Sequence, residues 1–114
     1  MNAYQLLDAL GEGTRRAVVE RLRGGPASVA EIAAELPVSR PAVSQHLKVL
    51  EQAGLVGFTV EGTRHVYALR REGFEELRRW VEGFWDDALA RFAAAAEHQA
   101  DIDRLPETSE RSRV

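Results

Sequence analysis

The chain has 114 residues, 45% hydrophobic and 29% charged, values that suit one globular domain with a modest core. It contains no cysteine, which excludes disulfides, thiolate nucleophiles and thiolate metal ligands. No stretch is long and apolar enough to cross a membrane, and the N-terminus lacks the basic-then-apolar layout of a signal peptide, so a cytoplasmic protein is expected.

The net charge of −3 argues at first against a nucleic-acid partner. Its distribution weakens that objection. Residues 1–54 carry six basic and six acidic side chains, residues 55–73 three and two, and residues 74–114 six and ten. The acidic excess therefore lies in the last third, leaving the first part free to offer a neutral-to-basic face.

Residues 3–10 are predicted as a short helix stopped by Gly11; alone it would be marginal, so it needs a packing partner. Thr14 to Arg23 form a second helix, with Ala17, Val18 and Leu22 on one side and Arg15, Arg16, Glu20 and Arg23 towards water. Thr14 is a candidate cap or phosphate contact, and Gly24-Gly25-Pro26 ends the helix. Ser28 and Glu31 fit a capping box for a third helix carrying Ile32, Ala33 and Leu36 and stopping before Pro37.

Residues 39–55 are predicted as a helix with two unlike faces. Ser39 is its N-cap and Gly54 its stop; Pro41 lacks an N–H, so the capping bond must reach a later amide. Val43, Leu47 and Leu50 form one apolar stripe. Pro41, Gln45 and Lys48 lie roughly opposite, with Ser44 and His46 on the flanks. Between Leu36 and Leu50 there are two full positive charges and no carboxylate. A merely solvated surface normally mixes in acids, whereas a helix lying in a DNA groove excludes them because phosphates repel them. Two short helices joined by a tight turn, the second with a clean polar face, make a helix-turn-helix.

After Gly54 the apolar period changes from about four to two. Leu55, Val56, Phe58 and Val60 form one strand, Glu61-Gly62-Thr63 a turn, and His65 to Leu69 a second strand, with Arg64 and His65 near the tip. A hairpin directly after a recognition helix is a wing. Residues 72–99 then form one long helix whose Phe74, Leu77, Val81, Phe84, Ala88, Phe92 and Ala95 recur at three and four, widened by Trp80, Trp85 and Leu89. This surplus apolar area marks an interface. A homodimer is expected, with Leu6, Leu10, Leu77, Val81, Phe84, Trp85, Ala88 and Phe92 at its seam. Residues 1–99 are one domain; 100–114 are polar and expected to form a tail without fixed structure.

The stretch SRPAVSQHLKVLEQAGLV at 39–56, followed by EGTRHVYAL at 61–69 and preceded by GEGTRRAVVERLRGG at 11–25, closely resembles the ArsR family of bacterial regulators. The resemblance covers roughly residues 4–95. It implies a mainly helical winged helix-turn-helix with a β-hairpin, in the order α-α-α-α-β-β-α, dimerising through terminal helices. It further implies binding to an operator and, usually, repression. It places Ser39, Arg40, Ser44, Gln45 and His46 at the DNA and Arg64 on the wing. Many family members sense metals. Their thiolate sites need cysteines, which are absent here. In their last-helix zinc site, His98 and Asp101 imitate one half, but the other half falls near Gly83 and Trp85, which cannot ligate metal. The sequence is similar to the metal-independent members, and no cofactor is expected.

Within that frame Ser44 and Gln45 are candidates for base edges, where a hydroxyl and an amide can hydrogen-bond. Arg40, Lys48 and Arg64 are candidates for phosphates, with Arg16 a further DNA candidate. His46 either bonds a phosphate or packs beside the wing. Trp80, Phe84, Trp85 and Phe92 either pack an interface or line a pocket for a small apolar ligand. His98, Asp101 and Asp103 are better read as a solvated helix end than as a metal site. No constellation for catalysis is present, so an enzyme is not expected. The expectation is a homodimeric, sequence-specific regulator of double-stranded DNA without a metal-sensing site. A winged-helix module that binds protein is the rival, supported by the acidic net charge.

Overall fold

The computed structural model describes residues 2–104. Its elements run α1 (Ala3–Leu10), α2 (Gly13–Arg23), β1 (Ala27–Ser28), α3 (Val29–Glu35), α4 (Arg40–Gln52), β2 (Val56–Glu61), β3 (Arg64–Leu69) and α5 (Arg71–Asp103). This is the winged helix-turn-helix order expected from the sequence, with one added strand.

Local chemistry sets the helix ends. α1 begins with a capping box in which the Gln5 amide donates to the Asn2 side chain at 3.0 Å and the Asn2 amide donates to the Gln5 side chain at 3.1 Å. α2 is capped by Glu12, whose carboxylate accepts from the Arg15 amide at 2.9 Å; Thr14, a candidate for that cap or for a phosphate contact, lies inside the helix. α3 has the expected capping box, with Ser28 and Glu31 exchanging bonds of 3.2 and 3.0 Å. In α4 the Ser39 hydroxyl accepts from the Ala42 amide at 3.3 Å, past the proline. At its other end the Gly54 amide donates to the Glu51 carbonyl at 2.9 Å and the Leu55 amide to the Leu50 carbonyl at 3.0 Å. Those two bonds make a Schellman stop, which Gly54 permits by taking φ 83°.

The wing is β2 and β3 in antiparallel register, Val56 opposite Leu69 through Glu61 opposite Arg64, turned by Gly62 at φ 65°. β1 adds a third strand on the far side of β3, with Ala27 opposite Tyr67 and Ser28 opposite Val66, giving the order β1-β3-β2. Two residues are too few to carry a period, so the sequence did not announce this strand.

The core gathers Leu6 from α1, Val18 and Leu22 from α2, Ile32 from α3, Val43, Leu47 and Leu50 from α4, and Leu55 and Val56 leading into the wing. Leu6 was expected at a dimer seam. It is instead wholly buried within one chain and has no surface left for a partner; Leu10 and Leu77 likewise pack against the core. α1 exposes Tyr4 and Leu7 instead, and the Tyr4 ring meets Trp80 edge-on at 6.0 Å. α5 starts one residue before the predicted helix and continues through Asp103, so the expected boundary at residue 100 falls inside it. Residues 105–114 of the expected tail lie outside the described residues.

The backbone of α5 touches the turn after α4. A Cβ on Gly73 would stand 2.4 Å from the Gly54 carbonyl oxygen and 3.3 Å from Leu55 Cα. Alanine gains about 1 kcal/mol of helix propensity over glycine. A backbone clash this short outweighs that gain, so Gly73→Ala should lose about 1–3 kcal/mol in urea unfolding; an equal or higher stability would refute the close approach.

The capping carboxylates make stability depend on pH. Glu12 lies below the ordinary 4.5 because the Thr14 and Arg15 amides bond its charged form. Glu31 does so through the Ser28 amide and hydroxyl, and Glu75 through the Arg78 guanidinium. Groups depressed in the fold contribute stability above their unfolded value and lose it as pH falls through the folded one. The urea midpoint should therefore drop as pH is lowered from neutral to below 4.5, and by less in Glu31→Gln, which keeps the cap without titrating.

Candidate nucleic-acid interface

α4 serves two environments at once. Val43, Leu47 and Leu50 are fully buried, and this fixes the rotation of the helix about its axis. Arg40, Pro41, Ser44, Gln45 and Lys48 are consequently exposed, while His46 and Ala42 are half-buried on the flanks. The predicted polar face is thus turned to solvent as a unit. Ser39 lies at its head, with its hydroxyl engaged by the Ala42 amide.

Only part of the predicted set converges. Arg40 and Ser44 from α4 and Arg64 from the wing line one groove of about 510 Å³ with Thr63, His65 and Tyr67. Ser28, Val29, Ala30 and Glu31, at the start of α3, form the rest of its wall. Gln45 and Lys48 are exposed on α4 outside this groove. The groove joins the recognition helix to the wing, so one bound surface can touch both.

Arg16 belongs elsewhere. Its guanidinium donates to the carbonyls of Leu10 and Gly11 at 3.1 and 3.3 Å, while Arg15 donates to Ala9 and Asp8 at 2.6 and 3.4 Å. The two side chains satisfy four successive carbonyls at the end of α1, where the helix dipole favours cations. Arg16 thus has a structural role and lies outside the groove that Arg40, Ser44 and Arg64 line.

His46 resolves towards a third neighbour. Its Nδ1 lies 3.7 Å from a carboxylate oxygen of Glu12, the cap of α2. Arg64 stands 3.5 Å from Glu31 Oε1, an ion pair joining the wing to the start of α3. Both carboxylates are helix caps, and both approach a basic group of the candidate DNA face.

Three features of the groove were missed in the sequence. His65 stacks on Phe58 with ring centroids 4.4 Å apart and planes 10° from parallel, which stiffens the wing. Tyr67 sits beside Phe58 at 5.4 Å, and burial, followed by the Glu51 carboxylate, raises its phenol above the ordinary value. Alternation along the two strands carries the signal for this cluster, since it puts Phe58, Val60, His65 and Tyr67 on one face. The position of Glu31 in the wall had no local signal beyond its capping role.

α5 carries a separate feature. Val81, Phe84, Trp85, Leu89 and Phe92 are exposed at helical spacing, between 48% and 75% of their full accessible area, and Ala88 is exposed among them. Among the described residues no helix is long and apolar enough to cross a membrane, so this stripe is not a span.

Residues 10–56 match a helix-turn-helix domain family. The chain is 53% identical over 105 residues to the HTH-type transcriptional regulator Rv2034 of Mycobacterium tuberculosis, covering 89% of this chain and 98% of that one. It is 29% identical over 76 residues to the transcriptional repressor SdpR of Bacillus subtilis, covering 67% and 84%. A solution structure of a homodimeric winged helix-turn-helix DNA-binding domain from Mycobacterium bovis, a possible ArsR-family regulator, superposes with a TM-score of 0.61 at 28% identity, covering 77% of this chain and 82% of that one. These relatives are transcriptional regulators. The chain belongs to the ArsR family of winged helix-turn-helix, DNA-binding transcriptional regulators.

Proposed function

We propose that the protein is a cytoplasmic repressor that binds a palindromic operator as a homodimer, with no metal-sensing site. The observation that carries the DNA site is the exposed, acid-free face of α4 meeting the wing in one groove. Ser44 and Gln45 read base edges; Arg40, Lys48 and Arg64 hold phosphates and set register; Ser39 orders the head of the helix that presents them. His46 stands at the flank beside Glu12.

The dimer is supported by the exposed stripe on α5 and by the homodimeric state of the M. bovis neighbour. Val81, Phe84, Trp85, Ala88 and Phe92 form the seam, with Leu89. Two recognition helices related by a two-fold axis enter successive major grooves, which sets half-sites about one helical turn apart. Repression follows the B. subtilis relative, and the lack of cysteine supports regulation without thiolate-bound metal.

Genome-wide mapping of bound DNA supplies the operator for a direct test. Gln45→Ala should lose about 1–3 kcal/mol of discrimination between the operator and a variant changed at the contacted base. Arg64→Ala should weaken matched and scrambled duplexes alike and lower the salt slope by about one. Equal losses on both duplexes for Gln45→Ala would remove its base-reading role.

Phe92 is 75% exposed, so Phe92→Asp leaves the single chain intact. It should shift the protein to monomer in sedimentation and cost about a hundredfold or more in operator affinity, because the second half-site no longer binds as part of the same molecule. A variant that remains dimeric with full affinity would place the seam elsewhere.

A further inference from the structure

The candidate DNA groove contains a carboxylate that does not suit it. Glu31 stands in the same wall as Arg40, Ser44 and Arg64. Phosphate should repel it, yet it pairs with the wing arginine at 3.5 Å. Its other bonds face inward: Oε1 accepts from the Ser28 amide at 3.0 Å, and the Glu31 amide donates in return to the Ser28 hydroxyl. These bonds hold the carboxyl in its charged form, with Arg64 and then Arg21 adding to the effect. Arg21 is itself paired with Glu35 and donates to the Gly25 carbonyl at 3.2 Å, so Glu31 is left with Arg64 as its close ion-pair partner.

We propose that Glu31 is an affinity-setting residue of the DNA site, which holds Arg64 in the free protein and is exchanged for a phosphate when DNA binds. This rests on Arg64 facing DNA, as proposed above. The geometry supports exchange over permanent pairing. Arg64 and Glu31 keep side-chain exposures of 57% and 48%, so a phosphate can reach the guanidinium without any repacking. An exposed pair of this kind is weak, and phosphate competes for it effectively. Once Arg64 turns to the DNA, Glu31 remains fixed by the cap and still faces the phosphate backbone. Its charge therefore opposes binding twice, by holding the arginine and by repelling the ligand. Capping does not require that charge, since glutamine serves equally at the third position of a capping box.

The test is a binding titration with a labelled duplex of mixed sequence, long enough to span two half-sites, over a range of salt. It compares wild type, Glu31→Gln, Arg64→Ala and the double variant. Glu31→Gln should bind about two- to fivefold more tightly at low salt, the range of one exposed ion pair, and the gain should shrink as salt rises. Loss of folded protein cannot produce a gain. The double variant should exceed Arg64→Ala by less than Glu31→Gln exceeds wild type, since only the repulsion is left to relieve. A weaker or unchanged Glu31→Gln, with Arg64→Ala still impaired, overturns the exchange and leaves the DNA site standing. An undiminished gain without Arg64 also overturns it, since Glu31 would then act by repulsion alone. If Arg64→Ala binds as wild type, both the exchange and the wing contact fail.

Discussion

The structure depends on one helix having to satisfy two environments. Val43, Leu47 and Leu50 of α4 are wholly buried, and together they join α2, α3 and the wing in a single core. Their burial leaves no rotational freedom about the helix axis, because a turn of a third of a revolution would bring Ser44 or Lys48 into the core unpaired. The direction of the recognition face is therefore set by packing, before any ligand arrives. The length of the helix is fixed as firmly. Ser39 starts it by bonding past Pro41, and the paired bonds at Gly54 and Leu55 end it. A cap at each end and a buried stripe between them hold the exposed side chains in one rigid array, which is what reading a sequence of bases requires.

Backbone contact extends that rigidity beyond α4. Gly73 of α5 lies against the Gly54 carbonyl, and the Arg70 amide donates to the Leu55 carbonyl at 2.8 Å. The turn that stops the recognition helix is thus held by the end of β3 and the first turn of α5 together. Side chains can change rotamer to absorb a small shift; two backbones in contact cannot. Gly54 and Gly73 serve different needs here. Gly54 supplies a left-handed φ, whereas Gly73 supplies the absence of a Cβ.

The acidic net charge and the DNA-binding face are reconciled by where each carboxylate is used. Glu12 and Glu31 both approach the candidate interface, and both are consumed at helix N-termini, where backbone amides stabilise negative charge. Each also reaches a basic side chain of that face, His46 and Arg64 respectively. The same group thus starts a helix and moderates the local positive potential. Within α4 itself no carboxylate precedes Glu51, in the last turn, which faces the strands of the wing away from the groove of Arg40 and Ser44. Net charge is a sum over the whole surface, while DNA responds to the field over one groove, and the two differ here in sign of consequence.

What the sequence disclosed, and what it hid, divide along the range of the interactions. The α4 stripe, the Ser28–Glu31 capping box and the Gly54 stop are written within a few residues of one another, and all three stand as read. The wing was legible because alternation and a glycine turn are local too. β1 was not, because its two residues become a strand only by pairing with Tyr67 and Val66. Arg15 and Arg16 looked like solvated or DNA-facing cations because their acceptors are carbonyls of the preceding helix, and carbonyls leave no mark in composition. Leu6 was assigned to the seam for a related reason. Periodicity identifies an apolar face but not what covers it, and in α1 the covered face belongs to the core while Tyr4 and Leu7 look outward. The same ambiguity does not arise for Phe84, Trp85 and Phe92. They are exposed in the single chain, so the structure itself marks them as the face that the proposed homodimer would cover.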